Sequence, residues 1–250
     1  MKTAINTALI SILAMSIVLM FVGLVICRPI LKLMDTPDNI LSDAEVYLNI
    51  YFWGLPFLFM FNVISSIFNS LGKSTIPLAF LIFSSVLNVV LDIYLISSWN
   101  MGIKGAAYAT LIAQAISALF SYIYLMMYLK KMTHKGSVSF FQFRILKNMC
   151  RVAIPSTVQQ SIVSVGMLLI QTAVNSFGSS YIAGYTAACK IDAMAIMPII
   201  AVGNAMSTFT AQNIGAKKTE RVKSGYLSSI GMITVISAII LIVVLIFKEP

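Results

Sequence analysis

Residues 87–114 read LNVVLDIYLISSWNMGIKGAAYATLIAQ, and the fold turns on how this stretch is read. It is the end of one apolar span, a short turn, and the start of the next. The first span carries Asn88 and Asp92, four residues apart and so on one face of a helix. A carboxylate inside an apolar run is costly, and such residues face a bundle interior or a water-filled cavity. Trp99 follows about 10 Å further along the helix axis and suits a membrane interface. The chain turns through Asn100, Met101 and Gly102. The next span opens with Gly105, Ala106, Ala107, Ala109 and Thr110, small residues that let helices approach closely. If the two spans are antiparallel neighbours, Asp92 and Thr110 lie at similar depth, each about 8–10 Å below the turn. A carboxylate, a carboxamide and a hydroxyl then converge, a donor set suited to a small hard cation.

Working outward, the same character fills the chain. Of 250 residues, 59% are hydrophobic and only 10% are charged, whereas soluble domains carry about 25% charged residues. With apolar runs longer than about 18 residues, this predicts an all-α integral membrane protein. Seven spans are expected, at 4–27, 46–69, 76–96, 105–128, 152–177, 184–211 and 225–247, with Pro56 and Pro198 as expected kinks. The first run is long for a signal peptide and no small-residue cleavage site follows it.

Net charge +9 does not point to nucleic acid, because the basic residues sit between spans. They set orientation instead. On one side lie Lys2, Lys73, Lys130, Lys131, Lys135, Arg144, Lys147, Arg151, Lys217, Lys218, Arg221 and Lys223. On the other are Arg28, Lys32, Lys104 and Lys248. Twelve against four places the first side, with the N-terminus, in the cytoplasm. Residues 129–151 are the one long polar break. Phe140, Phe141, Phe143, Ile145 and Leu146 beside basic residues suggest an amphipathic cytoplasmic linker on the inner membrane surface. It divides residues 1–128, with four spans, from 152–250, with three. Cys27, Cys150 and Cys189 have no metal or redox spacing and read as apolar fillers.

The pattern Asn88-x-x-x-Asp92, then Met101-Gly102-x-x-Gly105-Ala106-Ala107-x-Ala109-Thr110-x-x-x-Gln114, resembles the fifth and sixth helices of multidrug and toxic compound extrusion (MATE) transporters. Residues 68–78, FNSLGKSTIPL, are similar to that family's loop between helices four and five. Residues 154–178 and 183–223 look like its seventh and eighth helices, with the family's Gln-Asn-x-Gly-Ala loop at Gln212-Asn213-Ile214-Gly215-Ala216. The resemblance covers nearly the whole chain. It implies a twelve-helix, two-lobe architecture, of which this chain matches helices three to nine and is thus a fragment. The alternative is a genuine seven-helix protein.

The resemblance also implies a coupling-ion site for Na⁺ or H⁺ at Asn88, Asp92 and Thr110, with Asp92 the Na⁺ ligand. The family's helix-one aspartate would lie upstream of Met1, leaving the site incomplete here. Candidate cavity-lining residues in the second bundle are Gln159, Gln160, Lys190, Asp192 and Asn204, with Gln171 and Asn175 in the same polar scatter. Lys190 and Asp192, two apart, point to different sides and cannot pair with each other. No acid stands between Val152 and Phe177, which favours coupling through the first lobe. Met167, Met194, Met197 and Met206, with Tyr51, Phe52, Trp53 and Phe57, suit an adaptable apolar cavity. Interhelical hydrogen bonding or lipid-facing packing is the plainer account of these residues.

The expected function is a secondary antiporter exporting organic cations in exchange for Na⁺ or H⁺, by rocking of two bundles about a cavity. Its partners are a small cationic substrate and membrane lipid. It needs no cofactor beyond the coupling ion, binds no nucleic acid and is a monomer of the cell membrane. The alternatives are a lipid or lipid-linked oligosaccharide flippase of the same superfamily and a seven-helix receptor. The flippase needs a cationic cavity, and Lys190 is the only intramembrane cation. The receptor needs an extracellular N-terminus, opposite to the charge count. An enzyme is not expected: the only histidine, His134, is in the linker, and no nucleophile–base or HExxH arrangement occurs.

Overall fold

In a bilayer every backbone amide must find its partner within the chain, so apolar spans fold as helices. A computed structural model describes residues 1–33, 38–131, 139–175, 177 and 179–246. Among them are α1 (Lys2–Leu33), α2 (Asp38–Ser70), α3 (Thr75–Ile93), α4 (Gly102–Lys131), α5 (Phe143–Asn175), α6 (Ser179–Gly215) and α7 (Thr219–Ile246). A five-residue π-helical segment, Tyr94–Ser98, extends α3. Among the described residues seven stretches are long and apolar enough to cross a membrane, matching the seven spans expected, though most helices outrun them by several residues. The helices continue through Pro29, Pro56, Pro155 and Pro198.

The chain divides into two compact units, Met1–Arg151 and Val152–Pro250. In the first, α2 packs against both α1 and α4, and α3 lies on α4. The small residues that open α4 make this possible: Gly105, Ala107, Ala109 and Ala113 are all buried. A Cβ on Gly105 would stand 3.3 Å from the Leu95 backbone, a tight contact that glycine avoids where α4 meets the π segment. A Cβ on Gly23 would lie 2.5 Å from the Phe52 ring, which marks a similarly close meeting of α1 and α2. The core gathers where α1 begins and α2 and α4 end, around Ile5, Leu9, Ile64, Phe68 and Leu125. Phe68 is fully buried, with its ring centroid 5.8 Å from that of Tyr124 and 5.9 Å from that of Tyr128.

The FNSLGKSTIPL motif is largely helical, and its loop is a tight helix stop. The Gly72 amide donates to the Asn69 carbonyl, and the Lys73 amide to the Phe68 carbonyl. Gly72, at φ 71°, occupies the left-handed position of this Schellman turn. The Gln212–Ala216 motif also proves mostly helical: α6 runs to Gly215. The buried Asn213 side chain donates to the Phe209 carbonyl one turn back, which binds that residue into the helix. The left-handed residue is Lys217, at φ 57°, and the Lys218 amide closes the turn onto the Asn213 carbonyl.

Of residues 129–151, those at 132–138 lie outside the described residues. Residues 129–131 finish α4 and residues 143–151 are the opening turns of α5. His134 and Lys135 fall outside the described residues. Just before α5, the Gln142 amide donates to the hydroxyl of the fully buried Thr7, 3.2 Å away, fastening the chain to α1. In the second unit α6 and α7 pack as an antiparallel pair, while α5 is exposed along its membrane-length stretch.

Candidate functional site

The α3–α4 pair is where polar chemistry collects. Ser84, Asn88 and Asp92 recur every four residues, one stripe on α3. Ser84 donates to the Ala113 carbonyl on α4 at 3.5 Å. One turn on, Asn88 Nδ2 donates to Thr110 Oγ1 at 3.3 Å. Thr110 in turn donates to the Ala106 carbonyl of its own helix at 3.1 Å. These two bridges fix the antiparallel register: each step of four along α3 matches about three back along α4. The next residue of the stripe, Asp92, is thereby set near Ala106.

That register refines the expectation. Asn88, and not Asp92, lies level with Thr110. Asp92 sits about 6 Å nearer the α3–α4 turn, one helical turn away, two residues before the π segment begins at Tyr94. Single π turns inside α-helices are frequent at functional sites, and no sequence pattern announces one. Asp92 Oδ1 is buried and accepts no hydrogen bond from any described residue. A buried carboxylate oxygen without a donor is costly. Of the groups that relieve that cost, a proton or a cation fits, and the adjoining carboxamide and hydroxyl supply neutral oxygens of the kind a hard cation takes. Thr110 also lines a narrow crevice between α2 and α4 with Tyr51, Gly54 and Gln114.

Ser84 was not singled out from sequence, although its spacing to Asn88 carries the signal. The second-unit candidates are more scattered. Gln159, Gln160, Lys190, Asp192 and Asn204 are all exposed, and none lines the cavity found between α6 and α7. Lys190 and Asp192 form no ion pair; among the described residues the one ion pair is Arg28 with Glu45, at 3.7 Å. Gln171 is half-buried, and the Asn175 side chain falls outside the described residues. No group of three or more metal-binding side chains occurs among the described residues.

The MatE family model matches residues 1–94 and 155–250. The chain belongs to the MatE family and is a multi-pass membrane protein. It is 33% identical over 222 residues to "Probable multidrug resistance protein YpnP" of Bacillus subtilis, covering 89% of this chain and 49% of that protein. It is 29% identical over 260 residues to "Probable multidrug resistance protein YoeA" of the same organism, covering 100% of this chain and 55% of that one. Among solved structures, a MOP superfamily transporter from Pyrococcus furiosus superposes with TM-score 0.88 at 24% identity, over 98% of this chain and 55% of that chain. The chain thus spans about half the length of the curated relatives it matches. Both Bacillus subtilis relatives are named as multidrug resistance proteins.

Proposed function

We propose that this chain takes part in exporting amphipathic organic cations from the cell in exchange for Na⁺ or H⁺, with Asp92 as the ion-responsive group. The reading is supported most by the buried, undonated Asp92 oxygen on the same helix face as the Asn88–Thr110 bridge. Family membership and the names of the multidrug resistance relatives support the drug-export half.

The chemistry follows from charge. An ionised Asp92 in a low-dielectric interior is unstable alone and holds whichever cation reaches it. Proton and Na⁺ compete for one carboxylate. Asn88 and Thr110 add neutral oxygens that favour Na⁺ over larger cations. Loading removes the free negative charge from the α3–α4 interface. That biases the bundle toward the state that releases a cationic drug, and unloading on the opposite side resets it. The coupling ion is the only cofactor required, and the protein works as a monomer in the cell membrane with Lys2 and the 129–151 stretch cytoplasmic.

Ion binding by the purified chain tests this directly. Na⁺ should raise its thermal midpoint in detergent where K⁺ does not, and Asp92→Asn should abolish the difference. An equal response of the two proteins to Na⁺ and to pH removes Asp92 from the coupling site.

A further inference from the structure

Between α6 and α7 lies a cavity of about 680 Å³, and its walls are graded. At the end near the α6–α7 turn, α7 presents Arg221, Ser224 and Ser228. Deeper in, Val202 and Met206 of α6 face Met232 of α7. From Arg221 to Met232 is about 16 Å along the helix axis, close to half the hydrocarbon thickness of a bilayer. The site therefore offers a charged and hydroxylated mouth above an apolar channel one leaflet deep.

The polar end is poised for an anion. Arg221 lies across the Phe209 ring, 5.9 Å from its centroid, which holds the guanidinium over the mouth. Gly225 is what admits that ring, because any Cβ there would collide with it. Glu220 is adjacent in sequence, yet Arg221 forms no ion pair with a described residue. On the same helix Ser229 donates to the Gly225 carbonyl and Thr234 to the Ile230 carbonyl, one turn back. Ser224 and Ser228 make no such bond and have no other partner among the described residues. Lys217, Lys218 and Lys223 surround the mouth in sequence.

We infer that the α6–α7 cavity binds an anionic phospholipid, with Arg221, Ser224 and Ser228 on the phosphate and an acyl chain along Val202, Met206 and Met232. A guanidinium fork with two free hydroxyls matches a phosphodiester, and basic pockets between membrane helices take anionic head groups. A cationic drug is repelled at this mouth. A free phosphate leaves the apolar channel empty.

Native mass spectrometry of the purified chain decides it, using dioleoyl phosphatidylglycerol, dioleoyl phosphatidylcholine and inorganic phosphate as probes. Wild type should retain one phosphatidylglycerol in preference to phosphatidylcholine. Arg221→Gln, at an exposed side chain that the fold does not need, should weaken phosphatidylglycerol about tenfold, the loss expected for one charge-assisted bond, and leave phosphatidylcholine unchanged. Lys147→Gln, at another basic segment, should change neither. Val202→Trp should fill the channel and remove both lipids; should it fail to fold, the Arg221→Gln result still decides. Equal retention of the two lipids, undiminished binding in Arg221→Gln, inorganic phosphate competing as well as the lipid does, or a lipid-free dimer of the chain overturns the assignment.

Discussion

Asp92 is charged in ordinary chemistry and surrounded by apolar sequence, and its substitution separates function from stability. Asp92→Asn keeps the shape and removes the charge. It should abolish gradient-driven efflux of a fluorescent organic cation when residues 75–131 of this chain replace their counterpart in a related exporter. The fold should survive, because the lost oxygen has no protein donor to abandon. Thr110→Val should do less, reducing ion affinity about tenfold, since it removes one neutral ligand and one hydrogen bond. Wild-type efflux in the Asp92→Asn chimera would make the residue structural. Lys217 poses a separate residue-scale question. Its left-handed backbone, φ 57°, is uncomfortable for a side chain with a Cβ. Lys217→Gly should stabilise the chain by about 0.5–1 kcal/mol after the added freedom of glycine in the unfolded state is set against the relief. A thermal midpoint at or below wild type would show that the turn carries no strain.

At the scale of the helices, glycine and phenylalanine decide which faces meet. Gly23→Ala places a methyl group into the Phe52 ring and should cost about 1–3 kcal/mol as α1 and α2 are forced apart. Gly166→Ala on α5 meets no atom within 4 Å and should be neutral, or gain up to about 1 kcal/mol from helix propensity. Equal effects at the two sites, read by thermal unfolding in detergent, would mean that α1 and α2 do not approach at Gly23. Phe68→Ala should cost about 3 kcal/mol or more, because the ring is fully buried among Ile64, Leu125, Tyr124 and Tyr128. That loss concentrates at the end of the first unit where α1, α2 and α4 converge.

The whole molecule is organised by its charge asymmetry and by its two units. The charge count predicts a cytoplasmic stretch before α5. With Cys27, Cys150 and Cys189 replaced by alanine, Ser139→Cys should resist a membrane-impermeant maleimide in intact cells and react after permeabilisation. Labelling of intact cells would invert the topology and move the mouth of the α6–α7 cavity to the outer leaflet. The lipid assignment survives such an inversion, because it depends on the local gradient from Arg221 to Met232 and not on which leaflet that gradient faces.

Hydropathy is a local quantity, a transfer free energy summed over about twenty residues, so the sequence by itself determined the number of spans and their approximate places. Helical spacing is local too, which is why Asn88 and Asp92 could be set on one face. The short turn at Asn100–Gly102 made α3 and α4 antiparallel neighbours, bringing Thr110 to that face. Register is another matter. Whether Thr110 meets Asn88 or Asp92 depends on how far two helices slide past each other. The Ser84–Ala113 and Asn88–Thr110 bonds set that, and both join residues more than twenty apart in sequence. The close approach of α4 to the π segment and the stacking of α7's Arg221 on α6's Phe209 are likewise products of packing between elements. Each joins groups from two elements, and the periodicity of either element alone does not say which residue of the other it meets.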